Sequence, residues 1–165
     1  MKNPLQTMSE PIDFDAMLSD IAPQTLSVKR LSDSAQVPTY GSAGAACFDL
    51  YADDTLAIAP GRAGTIKTSV SFAIPSGYVM LVFSRSGHGF KNGVRLANCT
   101  GVIDSDYKGE VMVRLKNEGT DPFMVTLGDR VAQAMLLPVE RFDLVDADDI
   151  GTSERGTKGF GSTGK

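Results

Sequence analysis

Five short stretches of the chain bring together residue types that can do chemistry. In Asn98-Cys-Thr-Gly-Val-Ile-Asp-Ser-Asp-Tyr-Lys-Gly109 an acid stands beside Val102 and Ile103. A carboxylate so placed is a candidate general base, because it can orient a water and tune its own proton affinity. If the segment is extended, Asp104 and Asp106 point to opposite faces, which argues against a paired-carboxylate glycosidase site. Ser84-Arg85-Ser86-Gly87-His88-Gly89 follows an apolar run ending at Phe83. A strand end there offers one anion a guanidinium, a hydroxyl and close backbone approach. Gly151–Lys165 holds five glycines and one large apolar residue, Phe160. Its exposed N–H groups, the hydroxyls of Ser162 and Thr163, and the charges of Arg155 and Lys165 suit a flexible phosphate clamp. The pattern Gly159–Lys165 also fits the start of a P-loop, but that fold needs a strand before it and a helix after it. Two smaller pieces are Ala46-Cys-Phe-Asp49-Leu-Tyr-Ala52 and Gly128-Asp-Arg-Val-Ala-Gln133. Singly, each stretch also reads as ordinary structure: a surface turn, a hairpin turn with solvated acids, a strand with an outward Asp49, a turn plus edge strand, and a flexible end.

These residues need a scaffold, and the pattern around them is one of strands. Leu26–Leu31 roughly alternates, Thr65–Ile74 is rich in Thr, Val, Ile and Phe, and Tyr78–Phe83 is a continuous apolar run. Val111–Leu115 and Val131–Leu137 are similar. Turn signals separate them at Pro60-Gly61, Pro75-Ser-Gly77, Lys91-Asn-Gly93, Asn117-Glu-Gly119 and Leu127-Gly-Asp129. Short strands so spaced predict an all-β, jelly-roll-like barrel or sandwich. Residues 85–92 can add a helical turn. The organisation expected is an N-terminal arm over 1–25, a β body over 26–150 and a glycine-rich tail over 151–165. Ser9-Glu-Pro11 signals a helix start, so a short helix over 11–21 is expected, stopped by Pro23.

Composition closes other routes. The chain has 165 residues, enough for one domain with a real core. None of its seventeen glycines lies in residues 1–40, and long helices are excluded from the turn-rich remainder. No apolar run is long enough to cross a membrane, and no secretory signal opens the chain. Cys47 and Cys99 form neither a disulfide framework nor a zinc pattern, which suits a reduced, cytoplasmic setting. The formal net charge is −4, with three units of it in the first 25 residues. The body is therefore near neutral and lacks the basic face that nucleic-acid binding needs.

Taken together and in order, the five stretches resemble the five ordered motifs of the homotrimeric dUTPase (deoxyuridine triphosphatase) family. The likeness runs from about residue 26 to 165. It implies hydrolysis of dUTP to dUMP and pyrophosphate with Mg²⁺ on the triphosphate, which keeps dUTP low and supplies dUMP for thymidylate synthesis. Asp104 matches the residue that deprotonates the attacking water. Tyr107 matches the ring that packs under deoxyribose, and Asn98 the side chain facing uracil in a tight hairpin. Gly101, Val102, Ile103 and Met112 fall among the substrate-binding positions. Arg85, Ser86, Gly87 and Gln133 match phosphate contacts, and Asp49 an acid that reaches the metal through water. Phe160 matches the ring that stacks on uracil, while Arg155, Gly161, Ser162 and Thr163 match the phosphate clamp. The resemblance further implies a homotrimer in which one subunit's tail closes over a site built by the other two. Three departures stand out: Cys47 and Lys158 occupy positions where glycine is usual, and His88-Gly-Phe90 replaces a small apolar stretch. As the single histidine, His88 is expected at the surface or supporting the site from behind rather than in catalysis, since Asp104 fills the role of base. Two other readings of the motifs remain: a deoxycytidine triphosphate deaminase of the same broad fold, and a nucleotide-responsive protein acting through a partner at the acidic arm.

Overall fold

The computed structural model describes residues 25–159. The helix expected over 11–21 and the tail positions Phe160, Gly161, Ser162 and Thr163 lie outside them. Twelve strands and one short helix follow in order: β1 Ser27–Arg30, β2 Thr39–Tyr40, β3 Phe48–Tyr51, β4 Leu56–Ile58, β5 Ala63–Ile66, β6 Val70–Ala73, β7 Tyr78–Phe83, α1 Ser86–Asn92, β8 Val94–Leu96, β9 Thr100–Ile103, β10 Val113–Asn117, β11 Phe123–Val125 and β12 Arg130–Pro138. All strand pairs are antiparallel, in a five-stranded sheet β2-β3-β12-β7-β9, a three-stranded sheet β5-β10-β8, and the pairs β1-β6 and β11-β4. The result is the expected all-β, jelly-roll architecture, with the helical turn where Ser86–Asn92 allowed one.

Alternation builds the core. In β10, Val113, Leu115 and Asn117 point inward while Arg114 stays exposed, as a half-buried antiparallel strand requires. Leu50, Ile66, Met80, Val94, Leu115 and Val131 join the inward set, each at most 1% exposed. Asn117 is the polar member at 0% exposure. Its amide donates to the carbonyls of Ile58 and Asp121 and accepts from Gly119 N–H, so no polar atom of the side chain is left unpaired.

Two strand expectations change. Thr65–Ile74 is not one strand. Ser69 has φ 48°, a left-handed kink that separates β5 from β6. And β12 is no edge strand: it pairs β3 on one side and β7 on the other, at the centre of the largest sheet. A bulge between Arg130 and Ala132 opens that strand and breaks its period of two. Beyond Pro138 no further strand forms through residue 159, and Arg155 and Lys158 are exposed.

Candidate active site

One rung of the large sheet organises the first group of candidates. Thr39, Asp49, Gln133, Phe83 and Thr100 stand opposite one another across all five strands. Asp49 sits among three consecutive inward or buried residues of β3 and is only 8% exposed, so the outward reading of this acid fails. Both of its oxygens are engaged: Arg85 Nε donates to Oδ1 at 3.1 Å, and Arg130 Nη1 to Oδ2 at 3.3 Å. Arg85 enters at the end of β7 as the residue capping α1, and Ser86 and Gly87 form the first turn of that helix. A Cβ added at Gly87 would meet nothing, so the backbone there is open to close approach. Gln133 Nε2 donates to the Ser84 carbonyl at 3.0 Å, tying β12 to the loop that carries Arg85.

Arg130 was not among the expected site residues, although the Gly-Asp-Arg stretch contains it. It stands at the edge of the bulge, and bulges leave little trace in a sequence. Its carbonyl accepts from His88 Nε2 at 2.7 Å and from Arg85 Nη1 at 3.3 Å. His88 also meets the ring of Phe123 edge-on at 5.1 Å. These contacts brace α1 and make His88 a supporting residue.

The second group is carried by the turn from β8 to β9. Cys99 N–H donates to the Leu96 carbonyl at 3.3 Å and Thr100 N–H to the Asn98 carbonyl at 2.7 Å. Closing this turn puts Cys99 at φ 63°, a conformation L-residues rarely adopt and one that concentrates at binding sites. Gly101 lets β9 lie close on β7, because a Cβ there would come within 3.1 Å of the Val82 Cβ. Val102 is 62% exposed beside it, and Ile103 is half-buried against the core. The strand ends at Ile103, so Asp104 opens a turn rather than continuing an extended segment, and its carbonyl accepts from Tyr107 N–H at 3.2 Å. Asp104 and Asp106 are both exposed. Tyr107 is 44% exposed and its hydroxyl donates to the Glu110 carbonyl at 2.8 Å. Met112, 54% exposed, follows between buried Val111 and Val113.

One chain keeps these groups apart. Asp49 and Thr100 share the rung but are separated by three strand spacings, about 14 Å. Asp104 lies beyond the far end of β9, after Ile103, so it is further still from Asp49 than Thr100 is. Two cavities, of about 420 and 270 Å³, lie elsewhere and are lined by none of the candidates. Arg155 turns on its own segment, donating to the carbonyls of Lys158 at 3.1 Å and Gly159 at 3.2 Å.

The departures at Cys47 and Lys158 cost little here. Among the described non-glycine residues, only Ser69 and Cys99 have positive φ, so Cys47 needs no glycine freedom. Burial, and then the charge of Asp49, push the Cys47 thiol up from its ordinary value and keep it protonated. As to a metal, no cluster of three or more His, Cys, Asp or Glu side chains exists among the described residues. Asp49 alone, already facing two guanidinium groups, fits an ion held chiefly by phosphate oxygens and reached through water, as Mg²⁺ tends to be.

The fold and these two groups define the class: a jelly-roll protein that carries an arginine-braced acid on a sheet rung and a strained hydrogen-bonding turn beside an exposed acid. The dUTPase family model matches residues 33–164. A deoxyuridine 5′-triphosphate nucleotidohydrolase of Caulobacter vibrioides (strain NA1000 / CB15N) is 45% identical over 132 residues, 78% of this chain and 85% of the relative. The enzyme of the same name from Nautilia profundicola is 39% identical over 140 residues, 85% of this chain and 99% of its own. Among solved structures, the Staphylococcus bacteriophage 80alpha dUTPase with dUpNHpp superposes with a TM-score of 0.79 at 30% identity, covering 86% of this chain and 99% of that one. A bacteriophage phi11 dUTPase, reported with a structural Mg(II) ion, gives 0.72 at 26% identity over 77% of this chain and 99% of its own. The chain belongs to the dUTPase family.

Proposed function

We propose that this chain hydrolyses dUTP to dUMP and pyrophosphate, in a homotrimer whose sites are shared between subunits. The observation that carries the reading is the division of the candidates into two complementary groups. Arg85, Arg130 and Asp49 supply charge on one side, and the Asn98–Tyr107 turn supplies hydrogen bonds and an acid on the other. Their separation within one chain favours a site completed by a second copy.

In this mechanism Asp104 accepts a proton from water at a carboxylate oxygen. The water oxygen attacks the α-phosphorus in line, the bond to the bridging oxygen breaks, and pyrophosphate leaves. Asp49 would be the residue that helps hold Mg²⁺, through water, and the ion would supply charge neutralisation on the triphosphate. Arg85 and the open backbone at Ser86-Gly87 hold the phosphates, and Gln133 keeps that loop in place. Backbone groups of residues 98–103 read the base, and a wrong base leaves them unpaired. The Tyr107 ring sits under deoxyribose. Arg155, Phe160, Gly161, Ser162 and Thr163 close over a neighbour's site as a lid.

The test is a panel of dUTP, dCTP, UTP and dTTP with products resolved. Turnover of dUTP to dUMP alone is expected; deoxyuridine species from dCTP would move the assignment to a deaminase. Asp104→Asn should lower kcat at least 1,000-fold, roughly what loss of a base and its water orientation removes, with dUTP-analogue binding retained. Near-normal turnover in that variant excludes Asp104 as the base.

A further inference from the structure

We infer that Glu110 is a positioning residue for this site, holding Tyr107 in the place from which it discriminates deoxyribose from ribose. The inference rests on the role proposed above for Tyr107. Glu110 is outside the expected set, and nothing in the mechanism uses it.

Three contacts around Glu110 converge on the Tyr107 ring. First, the Tyr107 hydroxyl donates to the backbone carbonyl of Glu110 at 2.8 Å. Second, the ring folds back over Gly109, so closely that a Cβ there would lie 2.5 Å from the hydroxyl oxygen and 2.7 Å from the carbon bearing it. The ring is therefore set by the path of the backbone through 109 and 110. Third, that path is itself anchored by the Glu110 side chain: Oε1 accepts from the backbone N–H of Ser69 at 2.8 Å, across 41 residues of sequence.

The anchor point is rigid. Ser69 is 8% exposed and has φ 48°. Its carbonyl accepts from Leu31 N–H at 2.8 Å, so the residue is held on both sides. Neighbouring contacts extend the seam: Val111 N–H donates to the Val70 carbonyl at 3.0 Å, and Thr68 Oγ1 donates to the Val111 carbonyl. A charged acceptor on a part-buried amide is a strong member of such a seam, because removing it leaves the Ser69 N–H without its partner. Glu110 thus links the kink between β5 and β6 to the residue that closes the Asp104 turn. Without the carboxylate, residues 107–110 are tied to the core only through Val111, on one side of the segment, and a displacement of a fraction of an ångström under a sugar ring is enough to admit a hydroxyl.

The readout is sugar discrimination, the ratio of kcat/KM for dUTP to that for UTP, in Glu110→Ala and Glu110→Gln. Thermal melting and particle size are measured alongside. Glu110→Ala should lower the ratio at least 10-fold. Glu110→Gln retains an acceptor oxygen for Ser69 N–H and should restore most of the ratio. If Glu110→Ala does not fold, Glu110→Asp, which keeps the charge but shortens the reach, should show the same loss of discrimination. A ratio unchanged in these variants, even with a lowered melting temperature, overturns the inference and leaves Glu110 a purely structural residue. Tyr107→Ala separates the two readings. If it keeps wild-type discrimination, the role of Tyr107 fails. If it loses discrimination while Glu110→Ala keeps it, only the role of Glu110 fails.

Discussion

Asp49 meets two demands with one carboxylate. It stands 8% exposed between two arginines, and each oxygen takes one guanidinium. The arginines are themselves partly in solvent, so the pairs contribute less than buried ion pairs would. Their value is geometric: Arg85 is held against Asp49, and with Arg130 the cluster keeps one net positive charge for the phosphate contact proposed above. Asp49→Ala removes the shared acceptor. It should destabilise the fold by about 1–3 kcal/mol, the usual range for losing hydrogen bonds to a charged group. It should also raise KM for dUTP on the order of tenfold, equivalent to about 1.4 kcal/mol of lost binding. Differential scanning calorimetry and steady-state kinetics measure both. A KM within twofold of wild type would show that Arg85 finds its position without Asp49.

At the scale of elements, the loop between β10 and β11 shows how tightly this barrel closes on α1. Gly93 ends the helix at φ 64°, and its carbonyl accepts from Glu118 N–H at 2.8 Å. A Cβ at Gly119 would lie 2.3 Å from the Asn92 carbonyl oxygen, a backbone atom that cannot swing away. Gly119→Ala should therefore cost roughly 1–3 kcal/mol, as overpacking does. Unfolding in urea measures this, and a midpoint unchanged from wild type would mean that the two loops separate easily. Such features mark what a sequence can carry. Asn117-Glu-Gly119 and Lys91-Asn-Gly93 were legible as turns because glycine chemistry is local. Tyr78–Phe83 was legible to the residue because a buried strand is a plain apolar run. The kink at Ser69 and the bulge after Arg130 were not, since both are imposed by partners distant in sequence: the Glu110 carboxylate on one, the pairing with β3 on the other. For the same reason Asp49 and Arg85 could be named as candidates, while Arg130, which contacts Asp49 beside them, could not. The short strands β2, β4, β8 and β11, of two or three residues each, have too little periodicity to announce themselves.

Over the whole molecule, the separation of the two groups is the ground for the shared site proposed above. Antiparallel pairing fixes β3 and β9 three strands apart, about 14 Å by ordinary strand spacing, which is too far for Asp49 and a residue beyond the end of β9 to meet one small ligand within the chain. A second copy can close that distance, if it presents its Asn98–Tyr107 turn to the Arg85 side of the first. The segment after β12 has the surface for association: Phe142, Leu144, Val145 and Ile150 are 76%, 96%, 81% and 96% exposed. Apolar side chains bared in such number belong against another surface. Subunit complementation tests the arrangement directly. Arg85→Ala and Asp104→Asn are each expected to be nearly inactive alone. Mixed, unfolded and refolded together at equal amounts, they form hybrids in which some sites take Arg85 from one chain and Asp104 from another. With random assembly in a cyclic oligomer, about one quarter of the sites are then intact, and activity should return to about that fraction of wild type. If each chain built its own site, every site would retain one defect and the mixture would stay as inactive as its components. Removing residues 151–165 from the Asp104→Asn partner adds a second requirement. Recovery should then fall, because fewer of the intact sites have a tail to close over them, while particle size stays the same.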